Sequence, residues 1–213
     1  LRHSSAASDV YKRQDTSGEI ARSFKDSRIQ IIVCEHSGVT EASMQAIRAA
    51  RAPLIARMDA DDISHPDRLA SQEDFLRSHP GFSAVSGQVR LLNPLGDRMQ
   101  RYVDWVNSLK NADDIARGRF VECPVIQPSI MVRRSALDAV SGYQRCDWAE
   151  DHDLFLRILR RKMLIGKVDD LVLSWRDGSG RLTRRHPSYA QEQVWKMKAH
   201  HLALEAVSYT HLT

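Results

Sequence analysis

Short apolar runs of strand length alternate with stretches whose apolar residues recur at helical spacing. IQIIVC (29–34), PLIARM (53–58), FSAVSGQVRLL (82–92), SIMVRR (129–134) and DLVLSW (170–175) are the strand candidates. Each is rich in β-branched or large apolar residues. Between and around them the spacing predicts helices over 16–24, 39–51, from about 64 to 78, 108–117, 135–140, 150–161 and 188–206. Ser64 and Asp67 have capping-box spacing, with Pro66 in the expected first turn. Gly142 is expected to stop the short helix before it. Such alternation predicts an α/β layered domain with a mostly parallel central sheet flanked by helices. In sheets of this kind ligands gather beyond the carboxyl ends of strands.

One such end carries an unusual load. IARMDADDISHPDRL places Asp59, Asp61 and Asp62 directly after a strand candidate. Like charges this close raise one another's pKa, so either a positive partner sits there or the groups face water. A D-x-D at a strand end can hold a hard divalent cation, Mg²⁺ or Mn²⁺, through oxygen ligands. An EF-hand is excluded, because Ile63 and Ser64 stand where a ligand and a glycine are required. The bland alternative is a solvated acidic loop capping the next helix. A second acidic knot follows in WAEDHDLFLRIL, where Glu150, Asp151 and Asp153 sit at a helix start. Carboxylates favour that end of a helix on electrostatic grounds alone. One of them at the tip could also serve as a general base.

The bulk numbers narrow the partners. A net charge of +4 and a pI near 9.1, with basic residues spread among acidic ones, do not describe a nucleic-acid reader. Cys34, Cys123 and Cys146 are far apart, odd in number and without C-x-x-C spacing. They read as reduced thiols of a cytoplasmic protein. No apolar run approaches the roughly 18 residues of a membrane span, which leaves peripheral membrane contact open. Residues 1–14 and 207–213 carry no periodicity that continues into their neighbours, and are read as non-native tails around a domain at 15–206.

IARMDADDISHPDRLASQEDFLRSHP resembles the metal-binding stretch of family 2 inverting glycosyltransferases, and VIQPSIMVRRSALDAVSGYQRCDWAEDHDLFLRIL their acceptor-side segment. The order of the two motifs and their separation of about 90 residues fit as well. EHSGVTEASMQAIRAA is similar to the family's E-N-x-G-L-x-x-x-x-N-x-G-I helix, with Met44 and Ala46 in place of its Asn and Gly. The resemblance implies a GT-A fold, Rossmann-related, whose first strands are missing here. It implies a nucleotide-diphosphosugar donor bound by Asp59 and Asp61, with Asp61 and Asp59 ligating Mn²⁺ or Mg²⁺. Arg181 and Arg184 lie in a Gly-flanked loop after a strand, where guanidiniums suit the donor's diphosphate; a solvated basic loop is the alternative. The resemblance also implies Asp151 as catalytic base, with Glu150 as second candidate. Trp148, Gln127 and Ser129 would line the acceptor site, for a glycan or a lipid-linked sugar at the inner face of the membrane. Two competing readings stand beside it. One is a haloacid-dehalogenase-type phosphotransferase with Asp59 as nucleophile and Asp61 as acid/base. The other is an inactive fragment that binds nothing.

Overall fold

The computed structural model describes residues 5–7, 16–34 and 38–210. Six strands form one sheet: β1 (Ser5–Ala7), β2 (Leu54–Met58), β3 (Ile63–Ser64), β4 (Phe82–Leu92), β5 (Met131–Arg133) and β6 (Leu164–Arg176). Their order is β1-β2-β5-β4-β6-β3. The pairs β1–β2 and β4–β6 are parallel, whereas β2–β5, β4–β5 and β3–β6 are antiparallel. The sheet is therefore mixed rather than mostly parallel. The short β5 runs against both of its neighbours, and β3 runs against β6.

Alternation along the strands builds two faces, because successive side chains point to opposite sides. Ile55, Ala84 and Val132 enter a core shared with Leu137, Leu154, Phe155 and Ile158. That face is covered by α2 (Gly38–Ala49), α6 (Arg134–Ala139) and α7 (Glu150–Arg160). Their sequence neighbours Ala56, Val85 and Met131 turn the other way, onto Leu76, Leu69 and Phe75 of α3 (Arg68–Ser78). The layering of helices on both sides of a sheet follows directly. Gly166 on β6 permits close approach of α3, since a Cβ there would lie 2.5 Å from the Phe75 ring.

Two buried polar residues of α3 tie this layer to the strands beneath the carboxylate motif. Arg68 donates to the carbonyls of Arg57 (2.8 Å) and Ile130 (3.3 Å). Gln72 donates to those of Val85 (3.2 Å) and Ser129 (2.8 Å). Such fully buried donors need these partners to offset lost hydration.

Several expectations require correction. Residues 29–34 form no strand, and Ile29, Ile31, Ile32 and Val33 remain exposed. A β-branched run acquires strand structure only with a neighbour to bond, and none lies alongside among the described residues. The capping box does not form: Ser64 belongs to β3, and Asp67 precedes α3 without a side-chain cap bond. A helix at 97–108, α4 (Asp97–Ser108), was not anticipated, although Met99, Tyr102, Val103 and Val106 have helical spacing; Val103 and Val106 are buried against β4 and β6. The helix expected over 108–117 is the shorter α5 (Ala112–Gly118), capped by the Asn111 side chain. A short α1 (Ser17–Ser23) agrees with expectation. Beyond β6 come α8 (Leu182–Arg185) and α9 (Gln191–Thr210). Most of 1–14, and 211–213, lie outside the described residues; β1 pairs with β2, and α9 runs on to Thr210.

Candidate active site

The carboxylates emerge where β2 ends and the chain turns back toward β3. The positive partner that their crowding demands is in part Arg57, the next-to-last residue of β2. Its side chain is buried, and Nη2 lies 2.7 Å from Asp59 Oδ1. Sequence reasoning passed over Arg57, because on a strand it read as one polar position in an apolar run. Asp62 is clamped to β6: its Oδ1 accepts from the Arg176 backbone N–H at 2.8 Å, while Arg176 Nε donates to the Asp61 carbonyl at 2.7 Å. The other oxygen, Asp62 Oδ2, is buried with no hydrogen-bond partner among the described residues. Burial, and then the charges of Asp59 and Asp61, push Asp62 up to about 7. Asp61 itself is exposed.

Arg181 completes this corner. Its guanidinium stacks over Trp175 at 3.8 Å and donates to the Arg176 carbonyl at 2.8 Å. Burial lowers its pKa, opposed by the charges of Asp62, Asp177, Asp59 and Asp61. Arg181 is thus within electrostatic reach of the whole carboxylate cluster. Arg184 is not placed in the same way. Its Nη2 is held by both oxygens of Asp177, at 2.7 and 2.9 Å.

The second acidic motif arrives from α7. After α6 the chain turns through Ser141 and Gly142, both at positive φ near 60°. Gly142 tolerates this without strain. The turn brings Glu150 and Asp151 to the start of α7. Glu150 is buried and accepts from the Tyr189 hydroxyl at 2.7 Å. Burial raises its pKa, and Arg57 and Asp59 both act on it. Asp151 Oδ1 accepts from the His152 backbone N–H at 2.8 Å. Burial first, then the Glu150 charge, push Asp151 up to about 7, with Asp59 adding to the rise. The two motifs, far apart in sequence, therefore share one electrostatic environment. Tyr189, like Arg57, was missed; a lone tyrosine in a polar stretch gives no signal of its partner.

The remaining sequence candidates fall elsewhere. Ser129 is fully buried, and its hydroxyl is bound to Ile126 O (2.6 Å) and Ser86 Oγ (2.9 Å). It braces the core rather than facing an open site. Gln127 is buried too and donates to the Tyr143 hydroxyl at 3.1 Å. The Trp148 indole donates to Asp153 at 3.1 Å and tilts against His200. That attaches Trp148 to α9. His152, between Asp151 and Asp153 but not a site candidate, is buried, bonded to the Arg119 carbonyl at 2.7 Å, and lowered by burial to about 4.

As for a cation, no group of three or more His, Cys, Asp or Glu side chains is arranged to hold one among the described residues. Mg²⁺ does not need such a cage, since one or two carboxylates plus substrate phosphates suffice. The exposed Asp61, the orphaned buried Asp62 Oδ2 and the raised Asp62 pKa fit an added positive charge. A stability measurement checks the tension. Between about pH 4 and pH 7 the folded chain keeps a proton on Asp62 that the unfolded chain has released, so the group makes stability fall as pH rises through that window. Asp62→Asn keeps the Oδ1 acceptor and removes the charge. Its unfolding midpoint should exceed the parent's by several degrees at pH 8, on the order of 1–2 kcal/mol, with the gap nearly closed at pH 4. An equal gap at both values would contradict a raised pKa.

Among known families, the profile described as "Glycosyl transferase family 2" matches residues 12–141. An uncharacterized glycosyltransferase of Haemophilus influenzae is 26% identical over 143 residues, covering 67% of this chain and 52% of the relative. The O-antigen biosynthesis glycosyltransferase WbnJ of Escherichia coli is 29% identical over 149 residues, covering 66% and 55%. The chain thus spans about half the length of these relatives. In fold it is similar to S. aureus TarS, residues 1–349, solved with UDP-GlcNAc. The TM-score is 0.63 at 12% identity, over 88% of this chain and 54% of that one.

Proposed function

The chain belongs to glycosyltransferase family 2, a family of enzymes, and from that premise we propose that it moves a sugar from a nucleotide-diphosphate donor to a hydroxyl acceptor, with metal dependence and inversion. The observation that carries this reading is the meeting of Asp59 with Glu150 and Asp151 in one electrostatic environment, with Asp151 raised to about 7. A carboxylate of that pKa is half ionised near neutral pH and suits proton abstraction.

Asp151 takes the proton from the acceptor hydroxyl as that oxygen attacks the anomeric carbon. The bond to the diphosphate breaks on the opposite face, so the anomeric configuration inverts. Glu150, held by Tyr189, maintains the raised pKa of its neighbour. Arg181 offers a guanidinium to the diphosphate. Asp61, with Asp59, would hold Mg²⁺ or Mn²⁺, which when bound supplies Lewis-acid charge to the departing group. The O-antigen relative supports a surface glycan, or its lipid-linked precursor, as acceptor. No helix among the described residues is long and apolar enough to cross a membrane. The reading places the chain in the cytoplasm, where nucleotide sugars are made, with access to the inner membrane face. The phosphotransferase alternative gains nothing, since the family match over residues 12–141 is to glycosyltransferases.

Thermal unfolding with UDP or GDP, each with and without Mn²⁺, tests the reading. A ligand that binds only the folded state raises the midpoint. The expected result is a rise that needs nucleotide and metal together and vanishes in Asp61→Ala. No rise with either nucleotide overturns donor binding by this chain.

A further inference from the structure

A cavity of about 590 Å³ lies between the connection from α6 to α7, the body of α7, and α9; of the two acidic motifs only Asp153 lines it, and Asp59, Asp61, Asp62, Glu150 and Asp151 do not. Its size is that of a small-molecule site. Arg145, Arg157, Arg160, Arg161, His200 and His201 line it. Against four arginines the lining has two carboxylates, Asp147 and Asp153, and Asp153 is already spent. It accepts from Arg157 Nε at 2.7 Å, His201 Nε2 at 2.9 Å and Trp148 Nε1 at 3.1 Å.

That arrangement fixes what is left over. Arg157 also donates Nη1 to the Val140 carbonyl. Its Nη2 is buried without a partner among the described residues, and so are Arg160 Nε and His201 Nδ1. Arg157 and His201 are more than nine-tenths buried. These three nitrogens are sealed behind the cavity wall, and the accessible parts of the lining are the guanidiniums of Arg160, Arg161 and Arg145. Guanidiniums match the planar, forked oxygens of phosphoryl groups, and here three of them converge on one cavity with a single unspent carboxylate, Asp147.

We propose that this cavity is a second binding site, for a phosphate or diphosphate group, separate from the Asp59–Asp151 site. The group can belong to a soluble phosphorylated compound or to the headgroup of a phosphorylated lipid; the recognised chemistry is the same. Arg160 and Arg161 donate to its oxygens, Arg145 adds charge at the mouth, and Arg157, held by Asp153 and the Val140 carbonyl, adds charge from behind the wall. The site shares α7 with Glu150 and Asp151 but uses residues further along the helix.

Calorimetric titration of the full chain with inorganic pyrophosphate, in EDTA so that no divalent cation assists the donor site, tests the proposal. The expected result is saturable binding that weakens by at least about tenfold in Arg160→Gln and in Arg161→Gln. The control Arg77→Gln, on α3, should leave it unchanged. Co-sedimentation with phosphatidylcholine vesicles, with and without phosphatidic acid, separates the sources. Retention that requires phosphatidic acid and is lost in Arg160→Gln identifies a lipid headgroup; pyrophosphate binding without such retention identifies a soluble ligand. The midpoint rise from nucleotide with Mn²⁺ should persist in Arg160→Gln, which keeps this site distinct from the donor site. Absence of both pyrophosphate binding and vesicle retention, or binding indifferent to both arginine substitutions, overturns the proposal.

Discussion

Asp151→Asn should lower sugar transfer by about 10²–10⁴-fold, the range a positioned general base contributes. Asparagine has the same shape and can still accept the His152 backbone N–H, which Asp151 holds at 2.8 Å. The start of α7 should therefore survive, and only the basic electron pair is lost. Burial and the Glu150 charge hold Asp151 near 7. The rate should accordingly climb as pH rises toward 7 and level off above it, where the carboxylate is fully ionised. Glu150→Gln removes the like charge and should move that climb to lower pH, since Asp151 then ionises more readily. Because the two groups titrate as a pair, the shift is read from the whole profile. Turnover of UDP- or GDP-sugars, followed by nucleoside diphosphate release across pH, measures both effects. An Asp151→Asn enzyme with near-parental turnover would remove Asp151 from the reaction.

The acidic residues of this candidate site are legible in the sequence, for an identifiable reason. Asp59 stands where an apolar strand run stops and Glu150 and Asp151 where a helical apolar stripe begins, and charged residues at such boundaries mark the terminus of a strand or helix. Their convergence needed the resemblance, because nothing in spacing alone brings β2 and α7 together. What stayed hidden were partners whose role exists only in three dimensions. Arg57 and Tyr189 pair across the fold with Asp59 and Glu150, and neither position breaks a local pattern. Ser129 shows the converse error: it lies in a motif-like segment but is turned inward by Ser86 and the Ile126 carbonyl.

The same limit explains the fold. The strands β4 and β5 were found because their two faces enter two different cores. Residues 29–34 satisfied every local criterion for a strand and still form none, because pairing is a property of neighbours. α4 was overlooked because its polar face is rich in charge and its apolar residues are few, yet Val103 and Val106 are almost wholly buried. Tertiary burial, not helix propensity, holds such a helix in place.

Asp153→Ala should be the most damaging single change outside the apolar core, destabilising the chain by about 3–5 kcal/mol at pH 7, the penalty for stranding a buried charge. Both side chains of the Arg157–Asp153 pair are almost completely buried, and the substitution would leave Arg157 without its counter-charge and His201 and Trp148 without their acceptor. Burial alone would raise Asp153, but hydrogen bonds from His201 and the charge and bonds of Arg157 outweigh it and bring it down to about 2. A folded-state pKa below the ordinary value gives stability that is present above about pH 4 and lost as pH falls toward 2. About 1 kcal/mol of the difference between parent and variant should therefore be gone by pH 3. Asp153→Asn keeps an acceptor oxygen without the charge and should fall between the two. Urea unfolding at pH 7 and pH 3 measures this through the midpoint, provided the slope is unchanged. A loss below about 1 kcal/mol for Asp153→Ala at pH 7 would mean that water or a rearranged Arg157 replaces the carboxylate. The residues behind α7 would then be far less rigid than their hydrogen bonds imply.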